Sequence, residues 1–80
     1  MNKYVVESFC KLGTEWVFEF NYLFDSHKDA LNFMGVEVKE WLAAIRSVRA
    51  SERLRGNNWI VYRGEKEYYK YHMKRLFKKA

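Results

Sequence analysis

A chain of 80 residues is long enough for one small domain and too short for a second core. Hydrophobic residues make up 49% and aromatic residues 19%, which excludes a disordered tail; four Gly and no Pro exclude collagen-like or linker sequence. The single cysteine, Cys10, cannot form an internal disulfide, so we expect the protein to reside in a reducing compartment. We expect Cys10 itself to be a strand residue that behaves as a small apolar side chain. The sequence contains neither a signal peptide nor an apolar run of membrane-spanning length, so we expect one soluble, cytoplasmic domain over 1–80.

Charge is divided unevenly along the chain, whose formal net charge is +5. Residues 1–40 carry four bases and seven acids, whereas residues 41–80 carry eleven bases and three acids. A half-chain this basic favours an anionic partner, most often nucleic acid. Charge that serves only solubility is the alternative.

The N-terminal third has the pattern of an antiparallel hairpin. Residues 4–10 are β-prone, residues 11–14 contain a turn glycine, and every even position from Trp16 to Phe24 is aromatic. Period two over nine residues predicts a strand with one aromatic face. Such a face can stack nucleic-acid bases, but we expect it to form half of a core that helices cover.

Two helices are predicted next. Ser26 is a candidate N-cap for a short helix over 27–34, which Gly35 ends. Apolar residues then recur at three- and four-residue spacing over about 37–48, which predicts an amphipathic helix with Trp41 in its core.

The remaining chain is predicted to form a basic loop or ribbon turn over 49–57, a strand over 59–62 and a terminal helix over 65–79. That helix would have acids in its first turn and bases in its last, which matches the helix dipole. Four of its lysines are spaced by four residues and would form one stripe: Lys66, Lys70, Lys74 and Lys78. The predicted order is β-β-α-α-β-α, an α+β fold.

Residues 26–47 have the layout of a helix-turn-helix, with Gly35 in the turn. The five positions that this motif needs to be apolar are Ala30, Met34, Val36, Trp41 and Ala44. The longer pattern is Ser-x-x-x-Ala-x-x-Phe-Met-Gly-Val, then Trp-x-x-Ala-Ile-Arg-Ser, then Leu-x-Gly-x-x-Trp. Over about residues 24–63 it resembles the small nuclease-associated modular DNA-binding domains of phage and intron-encoded endonucleases. The resemblance implies duplex DNA binding, with the second helix in the major groove.

The sequence gives no support for catalysis or metal binding. His27 and His72 are isolated, and no glycine-rich loop, nucleophile elbow or clustered set of metal ligands is present. We therefore expect a non-enzyme without cofactor or metal.

The candidate nucleic-acid-binding residues lie in the second predicted helix, the basic loop and the terminal helix. Arginine forks suit phosphates and guanine edges, and a lysine stripe suits a phosphate backbone. An ordinary solvated face is the alternative for the terminal helix. The predicted set is Lys39, Ala43, Arg46, Ser47, Arg49, Arg53, Arg55, Asn57, Lys70, Lys74 and Lys78.

Two hypotheses for function follow. The first is a phage- or prophage-type regulator that binds nucleic acid, with duplex DNA as the partner; the helix-turn-helix spacing and the basic half favour it. The second is a phage-encoded inhibitor or adaptor that binds an acidic host or defence protein. Glu37 and Glu40 favour the second, because acids at the start of a recognition helix repel phosphates. Both a monomer and a homodimer are compatible with the sequence, and no membrane partner is expected.

Overall fold

The computed structural model describes residues 2–45 and 49–76. Its elements, in chain order, are β1 (Tyr4–Leu12), β2 (Glu15–Phe24), α1 (His27–Ile45), β3 (Ala50–Arg55), β4 (Asn58–Arg63) and β5 (Lys66–Arg75). The five strands form one sheet in the order β2-β1-β5-β4-β3, and every neighbouring pair is antiparallel.

The helix covers one face of this sheet. β2 and β3 are the two edge strands, and α1 connects them, so it crosses the sheet and contacts all five strands. No described element covers the opposite face. No helix in the described part of the chain has the length and apolarity needed to cross a membrane.

The core lies between α1 and the sheet. Ala30, Met34 and Val38 are spaced by four residues on one side of α1 and are almost completely buried. They pack against side chains of the three central strands, namely Val6, Val61, Tyr69, Tyr71 and Met73. Partly buried side chains, among them Phe24, Phe33 and Trp41, pack against this layer.

The predicted helix-turn-helix is wrong, because α1 continues through Gly35 without a break. The buried side that begins at Ala30 continues in phase to Val38, so the helical period is not interrupted at the glycine. Val36, which the motif would place inside, is 55% exposed. A Cβ at Gly35 would lie 3.4 Å from the ring of Trp59, so the glycine lies where α1 approaches β4 closely.

The start of the helix is as predicted. The Asp29 backbone N–H donates a hydrogen bond to Ser26 Oγ at 3.1 Å, which makes Ser26 the N-cap.

The predicted terminal helix is also wrong, because its described residues form β5. Buried and less buried positions alternate along the strand in the order Tyr69, Lys70, Tyr71, His72, Met73 and Lys74. A spacing of four residues keeps side chains on one face of a strand as well as on one face of a helix, since four is a multiple of two. The lysine spacing therefore did not distinguish the two structures.

The segment predicted as a basic loop or ribbon turn contains β3 and the turn at Gly56, whose φ is 63°, so the ribbon is the alternative that the structure has. The strand predicted over 59–62 is confirmed as the central part of β4. The described residues thus form a five-stranded antiparallel sheet with one helix, in place of the predicted β-β-α-α-β-α order.

The N-terminal hairpin is confirmed, with Gly13 at φ 64° in its turn, but its aromatic residues do not share one face. Ser8 pairs with Phe20, and the next residue of β1 pairs with Phe18, which leaves Glu19 as the extra residue of a β-bulge. Cross-strand partners point to the same face, so Phe18 and Phe20 point to opposite faces. The buried Ser8 hydroxyl accepts a hydrogen bond from the Phe20 backbone N–H at 3.2 Å and holds the bulge.

Cys10 is a partly buried strand residue, as predicted. Desolvation, and then the charge of Glu19, raise the pKa of its thiol. The thiol therefore stays protonated and behaves as a small apolar group.

Candidate functional site

All five strands contribute side chains to the open face, by which we mean the sheet face opposite α1. Strand pairing places Phe18 beside Phe9, Phe9 beside Lys70, Lys70 beside Ile60, and Ile60 beside Arg53. These five residues form one row across the sheet, about 19 Å long at the usual strand spacing. The row is aromatic at the β2 edge and basic at the β3 edge.

Aromatic rings and lysine ammonium groups meet at the β2 end of this row. Lys70 Nζ lies 5.0 Å from the ring centroid of Phe9 and 4.6 Å from that of Trp16. Lys11 Nζ lies 4.8 Å from the Trp16 centroid. All three distances are within the range of cation–π attraction. Phe18 completes the group: its ring meets Phe9 edge-on at 5.8 Å and is 49% exposed.

We call these five residues, Phe9, Lys11, Trp16, Phe18 and Lys70, the aromatic–lysine cluster. No cation lies over the Phe18 ring within the described residues. An exposed phenylalanine on a sheet leaves apolar surface in water, which a stacking ligand would cover.

The charges of the open face are mainly positive. Two ion pairs bridge β1 and β5: Lys11 Nζ to Glu67 at 2.9 Å, and Lys74 Nζ to Glu7 at 3.5 Å. Three further bases have no ion-pair partner in the part of the chain that the structure describes: Arg53, Arg55 and Lys70. The uncompensated positive charge therefore runs from the aromatic–lysine cluster to the β3 edge.

His72 lies beside the central row. Its Nδ1 is 2.9 Å from Asn58 Oδ1 on β4, and it pairs across the sheet with Glu7 on β1. Burial lowers the pKa of His72, Glu7 opposes this shift, and Lys70 and Lys74 on the same strand add to it. The imidazole is therefore mostly neutral at pH 7 and adds positive charge to the open face only in acid.

The structure brings four of the predicted site residues together on the open face, and these are Arg53, Arg55, Lys70 and Lys74. Lys39 and Ala43 are exposed on α1, which lies on the opposite side of the sheet. The predicted site therefore divides between two surfaces.

The remaining predicted residues lie elsewhere. Arg49 precedes β3 with its Nη2 3.8 Å from Glu65, and Asn57 lies in the β3–β4 turn, where its carbonyl accepts a hydrogen bond from the Met73 N–H at 2.9 Å. Three fall outside the described residues: Arg46, Ser47 and Lys78.

Sequence reasoning missed the aromatic part of this surface. Period two assigned Trp16 and Phe18 to the same face as Phe20, and no turn or glycine signal near Glu19 marks the bulge. The strand that carries Lys70 did have a signal in the sequence, because tyrosine and methionine alternate with polar residues from Tyr69 to Lys74, which is the period of a strand.

The open face offers π-faces, ammonium groups and guanidinium groups at the surface of a regular sheet. Such groups can stack planar rings and hold phosphates. No set of three or more metal-ligating side chains occurs within residues 2–45 and 49–76.

Comparisons of the chain with protein-family models, with curated proteins and with solved structures give no match.

Proposed function

We propose that the protein binds single-stranded nucleic acid on the open face. The observation that carries this proposal is the aromatic–lysine cluster, in which the exposed ring of Phe18, two partly buried rings and the Lys70 ammonium lie together on the β2 side of the open face. Proteins that bind single strands combine aromatic platforms for the bases with positive charge for the backbone.

Phe18 is the first stacking platform. Its ring is half exposed, and no described cation covers it. Phe9 and Trp16 lie next to it, but Lys70 is close to both rings. A base that stacks there displaces the ammonium from the ring, and the displaced group is then placed to contact the adjacent phosphate.

The backbone of the bound strand would follow the central row from β2 to β3. Lys70 is in the middle of this row, and Arg53 is at its far end. A row of about 19 Å crosses five strands. Four-stranded sheets that bind RNA stack two or three bases, so we expect a footprint of about three nucleotides on the sheet.

A single strand fits this surface better than a duplex does. The bases of a duplex are read in its major groove by an inserted helix or two-stranded ribbon. α1 buries one side on the sheet, and its exposed side has no excess of positive charge, because Asp29 and Glu40 offset Lys28 and Lys39. The open face instead presents flat rings, and only unpaired bases can stack on them.

The test is fluorescence anisotropy with labelled dT12, rU12 and a mixed-sequence hairpin duplex. Phe18→Ala should weaken single-strand binding by about 1–3 kcal/mol, the usual value of one base–aromatic stack. Phe20→Ala is the matched control, because Phe20 lies on the same strand, is 58% exposed and faces the other side. It should leave the affinity unchanged.

Salt dependence tests the phosphate contacts. Lys70→Gln should flatten the log–log salt slope by about 0.7, because one fewer counterion is released per lost contact on a single strand. Lys39→Gln, an exposed lysine on α1, should not change the slope. Equal losses for Phe18→Ala and Phe20→Ala, or tighter binding of the duplex than of dT12, would contradict the proposal. Binding of an acidic protein partner would instead depend on the lysine and arginine residues of the open face but not on Phe18.

A further inference from the structure

A cavity lies on the other side of the sheet, between α1 and β2. Its volume is about 360 Å³, within the range of small-molecule sites. The walls are formed by five aromatic side chains: Phe20, Tyr22, Trp41, Tyr69 and Tyr71. The carboxylates of Glu19, Glu37 and Glu40 also line the cavity. We therefore call it the acidic cavity.

The aromatic walls are held in place by contacts and hydrogen bonds. The ring centroids of Trp41 and Tyr69 are 4.5 Å apart, and those of Tyr69 and Tyr71 are 5.2 Å apart. Trp41 Nε1–H donates to the Tyr71 hydroxyl at 2.8 Å, and that hydroxyl donates to Glu37 at 3.0 Å. The walls therefore need little rearrangement to accept a ligand.

Two of the carboxylates are fixed by tyrosine hydroxyls. Tyr69 donates to Glu19 at 2.5 Å, and Tyr71 donates to Glu37. Burial raises the pKa of both tyrosines, and their carboxylate partners add to the shift, so both hydroxyls stay protonated as donors. Glu37 accepts from Tyr71 through one oxygen, and its second oxygen can accept a further hydrogen bond.

The cavity is negatively charged. Within residues 2–45 and 49–76, no lysine or arginine lines it, and none of its three carboxylates forms an ion pair. The field reaches Tyr22: burial, and then the charges of Glu37 and Glu19, raise the pKa of its hydroxyl. Glu40 is exposed on α1 at the side open to solvent.

We propose that the acidic cavity binds the guanidinium group of an organic cation. A cation gains from the ring faces and from the carboxylates at the same time. Among organic cations, guanidinium is planar, stacks on aromatic rings and donates two parallel hydrogen bonds to a carboxylate. The group is the same whether it belongs to a free small molecule or to an arginine side chain of a polypeptide.

The cavity and the open face are independent sites. Among the described elements, β2 alone contributes rings to both, and the Glu19 bulge separates the two sets. A polyanion is repelled by the three carboxylates, so failure of the nucleic-acid proposal leaves this one unaffected.

The experiment is an NMR titration of the ¹⁵N-labelled protein with n-propylguanidinium and with n-propylurea, its neutral isostere. We expect propylguanidinium to shift the backbone amides of Glu40 and Ala44 in a saturable way, and propylurea to give no saturable shift. Tetramethylammonium has the same charge without N–H donors, and we expect it to bind more weakly. Equal shifts by the neutral isostere, or guanidinium shifts confined to other parts of the protein, would overturn the proposal.

Charge-neutral variants locate the site. Glu40→Gln should weaken propylguanidinium binding by up to about fivefold, the range of an exposed ion pair. Glu37→Gln should weaken it more, because Glu37 is less exposed than Glu40. Glu15→Gln, an exposed acid of β2 outside the cavity, is the matched control and should have no effect. Equal effects of Glu15→Gln and Glu40→Gln would show that the cation senses only net charge, which contradicts the proposal.

The source of the guanidinium is tested with the capped tripeptide Ac-Gly-Arg-Gly-NH₂ beside propylguanidinium. Tighter binding of the peptide identifies a polypeptide ligand, and tighter binding of propylguanidinium identifies a free small molecule. A failure of both to bind would overturn the proposal.

Discussion

The open face and the acidic cavity are made of similar side chains and present opposite charges. On the open face, Lys70 lies over Phe9 and Trp16. In the cavity, Glu19 and Glu37 accept hydrogen bonds from tyrosines of the wall. Aromatic content alone therefore does not predict the ligand, because a ring stacks bases or cations according to the charges beside it.

A single inserted residue divides the aromatic side chains of β2 between these two surfaces. Without Glu19 as the extra residue, strict alternation would place Phe18 and Phe20 on one face. The bulge turns the outer part of β2 so that Phe18 joins the open face, while Phe20 stays with the cavity. One aromatic strand thereby serves both surfaces of the sheet.

The largest effect on stability is expected from truncating a side chain of the core between α1 and the sheet. Met34 is fully buried on α1, so Met34→Ala should lower the free energy of unfolding by about 2–5 kcal/mol. Urea denaturation measures this change. Val36→Ala, at an exposed position of the same helix, should change it by less than about 0.5 kcal/mol. Equal stabilities of the two variants would contradict the packing of α1.

The bulge itself can be weakened through Ser8. Ser8→Ala leaves the Phe20 N–H without its hydrogen bond, which should cost about 1–3 kcal/mol. Ser51→Ala, at an exposed position on β3, is the control and should be nearly neutral. If thermal unfolding gives the same midpoint for both variants, the Ser8 hydroxyl does not hold the bulge.

Gly35 distinguishes the continuous helix from a helix-turn-helix. In a continuous helix, Gly35→Ala should stabilise the protein by about 0.5–1 kcal/mol through helix propensity, because the added methyl meets Trp59 at an ordinary contact distance. The contrasting variant is Gly13→Ala, which should destabilise because Gly13 has a φ of 64°. A destabilising Gly35→Ala would instead support a turn at this position.

The smallest effect concerns His72 on the open face. Its pKa is below the unfolded value of 6.5, so the unfolded chain takes up the proton first as the pH falls. The stability that comes from burying His72 in its neutral form is therefore complete above pH 6.5, and it is lost as the pH falls through 6.5 towards the folded pKa.

A polyanion bound on the open face should raise the pKa of His72, because it stabilises the charged imidazole. We expect single-strand affinity to rise by about two- to fivefold between pH 7.5 and 5.5, beyond the rise seen for His72→Gln. An identical pH profile for the variant would exclude His72 from the interface.

The sequence predicted those parts of the fold in which local signals agree with tertiary packing. The hairpin with Gly13 in its turn, the N-cap at Ser26 and the strand over 59–62 are examples. The sequence-based prediction failed at Gly35, because a glycine can either end a helix or let a helix pack closely against its neighbour. The close approach of Trp59, which the sequence does not reveal, distinguishes the two cases.

The site was predictable only in part. Arg53, Arg55, Lys70 and Lys74 were selected by charge, and they share the open face because strand pairing aligns them. The aromatic partners depend on the bulge, and a bulge is a property of two paired strands that one strand's sequence does not reveal.

The three tryptophans allow both surfaces to be tested in one spectrum. Trp16 belongs to the open face, Trp41 to the acidic cavity, and Trp59 to neither, since its indole N–H donates to Glu52. Their indole signals are followed in ¹⁵N-labelled protein while rU12 and propylguanidinium are added separately. We predict that rU12 shifts Trp16, that propylguanidinium shifts Trp41, and that Trp59 responds to neither. Both ligands shifting the same indole would contradict two surfaces of opposite charge.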